Sequence, residues 1–281
     1  MTPLQSRVAL ITGGNGITGN ALVEHLIRQP KSEWSRIIVT SRSPLKYYWQ
    51  DPRIDCIIVD FLAPTETIIA QLGPLCQDVT HAFFAAYAHS DDFEKLPALN
   101  IPLFETFLTS IEAVAGPSLQ RVCLQTGGKH YGAHLGPVPT PFSESHPRKA
   151  DDPHNFYYAQ EDILFAHQAK AVSENRPWYY NIVRPNAIIG FAPGFNGMSE
   201  AITLAIYFIV CHETREAPKF PGNQFYYNCP ADCSSADGVA DLSVWATTQE
   251  HTKNEAFNHS NGDVYVWKYL FPRLGAYFGL D

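Results

Sequence analysis

A phenol can polarise a carbonyl or move a proton when a cation stands one helical turn away, and that spacing is the first thing to look for in a chain with 14 tyrosines. No tyrosine here has a lysine four residues on. Tyr157 and Tyr158 are followed at that spacing by Glu161 and Asp162, carboxylates that would raise a phenol pKa. The cation must therefore come from elsewhere. Lys129 is the candidate, because Gln125-Thr126-Gly127-Gly128-Lys129-His130-Tyr131 directly follows an apolar run, where open α/β sheets place chemistry. Taken alone, Tyr157 reads equally as an aromatic packed into a helix face, and Lys129 as an ordinary loop lysine.

A second group of residues says what these side chains would act on. Thr12-Gly13-Gly14-Asn15-Gly16-Ile17-Thr18-Gly19 lies between the apolar run Val8–Ile11 and a helical pattern of Ala21, Leu22, Leu26 and Ile27. This is a strand–turn–helix cradle for a dinucleotide. Gly13 permits the tight turn, Gly16 lets backbone approach a pyrophosphate, Gly19 packs helix on strand, and the helix N-terminus donates to the phosphates. The bland alternative is a turn whose fold has lost its ligand. Lys129 would then sit within reach of a nicotinamide ribose and a nearby phenol.

The second strand selects the cofactor. A binder of NAD ends that strand with an acid on the ribose, but Ile37-Ile38-Val39-Thr40 runs into Ser41-Arg42-Ser43. Arg42 can pair with the 2′-phosphate of NADP(H) and Ser41 can donate to it, the alternative being a solvated surface arginine. Asp60 and Phe61, after the third strand, suit an adenine, with carboxylate or backbone at its amino edge and the ring beside it. An ordinary strand-end acid is the other reading.

Elements that could position these residues follow from periodicity. Apolar, β-branched runs at Arg7–Thr12, Arg36–Thr40, Ile54–Asp60, His81–Ala85, Arg121–Thr126 and Tyr179–Arg184 alternate with helical patterns at Ile17–Arg28, Thr65–Leu72, Leu96–Ala115 and Asn155–Val172. The fold class is α/β, a doubly wound parallel sheet of the Rossmann type. Beyond Arg184 the alternation breaks. Helices at Ser199–Glu213 and Ser235–Thr248, a strand at Ala256–His259 and a helix from Tyr265 are expected to form a substrate cover, so residues 1–281 make one domain with a core to about 190 and a cover over 191–281. The connection Gly127–His154 is long enough to be a functional lid.

Totals exclude several functions. A formal charge of −8 argues against a sequence-independent nucleic-acid binder, and the longest apolar stretch, Ala201–Cys211, is about half of a bilayer span. The expected partner is a small, neutral, partly apolar molecule, without nucleic acid or membrane. Scattered cysteines (Cys56, Cys76, Cys123, Cys211, Cys229, Cys233) and a strand beginning within ten residues of Met1 suggest a reducing, cytoplasmic setting. No metal is expected. Cys229 and Cys233 lack a second pair, and His130, His134, His146 and His154 show no ligand spacing.

Together these strings resemble the progesterone 5β-reductase and iridoid synthase-like (PRISE) family of atypical short-chain dehydrogenases/reductases. The resemblance spans nearly the whole chain. It rests on Thr12–Gly19, Leu124–Tyr131, Asn155-Phe156-Tyr157-Tyr158 with Glu161-Asp162, Arg184-Pro185 through Gly190-Phe191, and Asn254–Asn258 with Asn261–Val264. It implies NADPH-dependent 1,4-reduction of an enone or enal in secondary metabolism, with Tyr157 and Lys129 as the catalytic pair and Tyr158 in support. Tyr157 would hydrogen-bond the carbonyl oxygen as enolate charge develops, and Lys129 would orient the ribose.

The resemblance also implies that Asn15, Gly16 and Ile17 form the pyrophosphate turn, that Tyr87 and Thr126 flank the nicotinamide side, and that Ile188 lies against the ring. Arg184 is equally suited to sheet-end geometry and to ligand binding. Phe191, Phe195, Met198, Tyr207, Phe208, Tyr226 and Tyr227 could line an apolar pocket or simply be core. A homodimer is the candidate assembly. Two other functions use the same parts: a redox-neutral isomerase or cyclase, and a non-catalytic NADP-sensing regulator.

Overall fold

The structure is a computed structural model describing residues 6–46, 49–149, 152, 155–194 and 199–280. Five parallel crossovers build its first half. The strands are β1 (Arg7–Thr12), β2 (Trp34–Ser41), β3 (Ile54–Ile58), β4 (His81–Phe84), β5 (Arg121–Gln125) and β6 (Tyr179–Pro185). Between them run α1 (Ile17–Arg28), α2 (Thr65–Leu72), α3 (Leu96–Ala115) and α4 (Phe156–Ser173). The second half holds β7 (Ile188–Ile189), α5 (Glu200–Thr214), α6 (Gln224–Asn228), β8 (Pro230–Ala231), β9 (Ser234–Ser235), α7 (Ala236–Thr248), β10 (Glu255–His259), β11 (Tyr265–Val266) and α8 (Trp267–Tyr277).

Strand order in the main sheet is β10-β6-β5-β4-β1-β2-β3, with every pairing parallel. The order reverses between β1 and β4, which opens a crevice at their carboxyl ends. Thr12 stitches that point, its hydroxyl accepting from the backbone nitrogens of Ala85 and Ala86 at 3.0 Å each. On one face Ile68, Leu72, Phe104, Phe107 and Leu164 bury against the sheet; on the other Leu22, Leu26, Val239 and Val244 do so. Burial on both faces explains the continuously apolar strands.

The second half departs from expectation. α7 and β10, read from the sequence as part of the cover, complete the core instead: β10 pairs with β6 from Glu255↔Asn181 to His259↔Pro185, and α7 packs beside α1. An insertion containing α5 and α6 separates them from β6, which hides the strand–helix alternation. What remains outside the core is α5, α6 and α8 with the β8–β11 pair, gathered on Phe208, Trp267 and Phe271. Among the described residues no helix is long and apolar enough to cross a membrane.

Candidate active site

The glycine turn closes over the crevice as its spacing requires. Gly13 adopts φ +73°, and a Cβ there would meet the Ala85 carbonyl oxygen at 2.9 Å, while one at Gly19 would lie 2.2 Å from the Gly13 carbonyl oxygen. Only glycine fits. Gly16 forms the N-cap of α1 without a side-chain cap, and the first turn carries no acid, so the free N–H groups face the crevice with positive potential. Ile17 opens the helix and is buried, touching the backbone position of Gly190.

Around the adenosine side the residues divide. Asn15 binds the loop after β2 through Ser41, Ser43, Pro44 and Lys46. Arg42 is exposed and makes no ion pair among the described residues. Asp60 is exposed, and its carboxylate accepts from the Leu62 backbone nitrogen at 3.0 Å. Phe61 corrects the expectation of a ring beside adenine: it is 3% exposed and packs edge-on to Phe107, 5.4 Å between ring centres. Its apolar ring is worth more in the core than at the surface.

At the other end of the crevice, Tyr157 enters from the first turn of α4. Its hydroxyl oxygen lies 3.7 Å from where a Cβ at Gly127 would stand, which places the phenol just past the end of β5. It has no hydrogen-bond partner among the described residues. Burial, and then the nearby Tyr87, push its pKa above the ordinary phenol value, so the group stays a neutral donor. The expected effect of Glu161 is absent, because that carboxylate turns away. Tyr87 connects through Phe156, with ring centres 6.1 Å from Phe156 and 4.7 Å from Phe156 to Tyr157.

Lys129 lies in a short 3-10 turn, Gly128–Tyr131, directly beyond Gly127. Its backbone is close to α4, but its amine is 5.4 Å above the exposed ring of Phe93, and no hydrogen bond joins it to Tyr157. The structure thus brings the pair to one sheet edge without making them touch. Burial lowers the amine pKa, partly offset by Asp152. Tyr158 is structural, its hydroxyl donating to the His130 carbonyl at 2.5 Å and accepting from the Lys149 nitrogen at 2.9 Å. Thr126 is buried with its hydroxyl unpartnered among the described residues. Ile188 lies half-buried against the α1 side of the core. A glycine cradle with an open helix N-terminus after β1, and a buried hydroxyl after β5 without a partner among the described residues, suit a dinucleotide.

Two residues named in the sequence have supporting roles that the sequence did not assign. Asn155 caps α4 by accepting from the Tyr157 nitrogen at 3.3 Å and donates to the Lys129 carbonyl at 2.7 Å. An asparagine just before a helical pattern is a recognisable start signal. Glu161 is 1% exposed and receives Arg184 at 3.0 Å and Arg148 at 3.0 Å, with His130 Nδ1 3.2 Å away. Burial opposes ionisation there, yet His130 and Arg184 hold its pKa below the carboxylate norm. Arg184 therefore serves sheet-end geometry. Of the aromatic pocket candidates, Phe208 is core of the α5–α8 cluster with Tyr227 packed on it, Tyr207 is held by Lys219, and Phe191 and Tyr226 are exposed. Phe195, Met198 and His154 lie outside the described residues.

Known proteins extend this picture. Residues 9–281 match the PRISE-like Rossmann-fold domain. The chain is 42% identical over 274 residues to the short chain dehydrogenase gsfE of Penicillium aethiopicum, covering 97% of this chain and 71% of that one. It is 34% identical to (S)-8-oxocitronellyl enol synthase of Catharanthus roseus, with 98% and 69% covered, and 36% identical to the 3-oxo-Delta(4,5)-steroid 5-beta-reductase of Arabidopsis thaliana, with 98% and 70% covered. Among solved structures, the NAD complex of Thermus thermophilus UDP-glucose 4-epimerase superposes with a TM-score of 0.69 at 16% identity, covering 98% of this chain and 82% of that one, which bears on the fold alone. The strand order, the glycine cradle and these likenesses agree: this chain belongs to the PRISE-like Rossmann-fold family and is an enzyme of the short-chain dehydrogenase/reductase type.

Proposed function

We propose that the chain is an NADPH-dependent reductase of the activated C=C bond in a small enone or enal, acting in a reducing, cytoplasmic setting. The observation that carries this reading is the Tyr157 hydroxyl beside Gly127 at the end of β5, without a hydrogen-bond partner among the described residues. A neutral phenol at that point is a donor for a carbonyl oxygen, and its raised pKa keeps it protonated through the neutral range. The 2′-phosphate preference is supported by Ser41 and Arg42 standing where an NAD binder keeps an acid.

Bound NADPH supplies the hydride that the β-carbon of the enone accepts. Tyr157 would orient the carbonyl and hold the negative charge that gathers on its oxygen, a stabilisation worth about 3 kcal/mol for one well-placed donor. Lys129 would swing from Phe93 to the ribose hydroxyls and add positive potential beside the phenol. A proton from solvent at the α-carbon completes the saturated carbonyl product. The similarity to an enol synthase and a steroid 5-beta-reductase supports enone chemistry over reduction of the carbonyl itself. All six cysteines are free, as a reducing compartment requires.

Deuteride transfer tests this directly. With NADPH deuterated at the nicotinamide C4 and cyclohexenone as probe, deuterium is expected at the β-carbon of cyclohexanone. Deuterium at the carbonyl carbon of an allylic alcohol would overturn the proposed regiochemistry.

A further inference from the structure

Asn15 stands in the glycine turn, where the motif alone assigns it to the pyrophosphate, yet its carboxamide is committed elsewhere. The side-chain nitrogen, with two protons to give, donates toward Ser41 Oγ at 2.9 Å, Ser43 Oγ at 3.2 Å and the Pro44 carbonyl at 3.2 Å, one proton being shared between two of these acceptors. Its oxygen accepts from the Lys46 backbone nitrogen at 2.8 Å. One side chain therefore organises the whole Ser41–Lys46 loop. Below it the turn and β2 are sewn together by Gly14 N donating to the Thr40 carbonyl at 3.0 Å, and a Cβ at Gly14 would collide with Val39 and Leu45 at 2.4 and 2.6 Å.

The direction of these bonds has a chemical consequence. A serine hydroxyl has one proton to give and two lone pairs to receive with. Asn15 fills an acceptor position on both Ser41 and Ser43, so each hydroxyl proton remains available to point outward. Arg42 lies between them, exposed and without an ion pair among the described residues. Two oriented O–H donors flanking a guanidinium match a phosphate dianion.

We propose that Asn15 is a positioning residue that sets preference for a 2′-phosphorylated nucleotide, acting through Ser41 and Ser43. The inference rests on the NADPH reading above and deepens it: the loop is a prearranged anion site, and Ser43 is a member of it. Asn15 need not touch the nucleotide to control which one binds.

Equilibrium titration by calorimetry, with NADP+ and NAD+ and with adenosine 2′,5′-bisphosphate and AMP as nicotinamide-free probes, tests it without turnover. In Asn15→Ala, NADP+ and the bisphosphate are expected to weaken by about tenfold or more, while NAD+ and AMP change by less than about threefold. Ser43→Ala is expected to show a smaller loss with the same selectivity. Should Asn15→Ala not fold, Asn15→Ser, too short to span from Ser41 to Lys46, carries the same expectation. Equal weakening of all four ligands, or none, would overturn the inference while leaving the NADPH reading intact. Wild-type protein binding NAD+ as tightly as NADP+ would overturn both.

Discussion

Asn155 donates to the Lys129 carbonyl oxygen at 2.7 Å while its side-chain oxygen accepts from the backbone nitrogen of Tyr157 at 3.3 Å. One carboxamide thus holds the loop that carries the amine against the helix that carries the phenol. This replaces the direct tyrosine–lysine spacing that the chain lacks. The two functions of Asn155 can be separated. Asn155→Asp keeps the helix cap and loses the donor to a part-buried carbonyl, so it should cost about 1–3 kcal/mol of stability while kcat falls about tenfold; Asn155→Ala should lose both cap and donor. Equal kcat in Asn155→Asp and wild type would deny the coupling.

Glu161 supports the same edge from behind. With Arg184 and Arg148 each 3.0 Å from its carboxylate, removing that charge leaves the buried Arg184 guanidinium without an ion-pair partner among the described residues, while Arg148 keeps Asp162 at 2.7 Å. Glu161→Gln is expected to cost about 3 kcal/mol in urea unfolding at neutral pH. Because the folded carboxylate titrates below its ordinary value of 4.5, its contribution is complete above that value and is lost as pH falls through the lowered one. The variant should therefore show a flatter acid limb of stability than wild type.

Arg42 gives a test of cofactor choice that is independent of Asn15. It is exposed, so Arg42→Ala should leave stability unchanged while NADPH binding weakens by about tenfold or more and NADH binding changes little. Equal losses for the two nucleotides, read by fluorescence titration, would reject the 2′-phosphate assignment.

Burial moves the two proposed catalytic groups in opposite directions, the Tyr157 phenol above its ordinary 10.0 and the Lys129 amine below its ordinary 10.5. A reaction that needs a neutral phenol and a cationic amine then fails first at the amine as pH rises. The basic limb of kcat/KM should belong to Lys129 and shift upward in Lys129→Arg. A limb unmoved by that substitution would exclude the amine as the group responsible.

The parallel core was legible because β1, β2, β5 and β6 are apolar along their length and the glycine turn marks where the first helix begins. β10 was misplaced for a physical reason: Glu255–His259 is half-buried at a sheet edge, and the inserted α5–α6 segment breaks the alternation that identifies a core strand. Gly13 and Gly19 declared themselves through backbone constraint, whereas the motif put Asn15 at the pyrophosphate and gave no sign that its carboxamide holds the Ser41–Lys46 loop. The aromatic ring of Phe61 did not, since a phenylalanine after a strand looks the same whether it faces a base or Phe107. The Glu161–Arg184 pair was hidden by long sequence separation, and the Lys129 amine by a loop whose path depends on Asn155.

Activity of Tyr157→Phe measures the central claim most directly. With cyclohexenone and NADPH, the wild-type enzyme should consume NADPH and form cyclohexanone; Tyr157→Phe should bind NADP+ as well as wild type and lose about 10² to 10³ in kcat. Turnover at the wild-type rate without the hydroxyl would contradict the account.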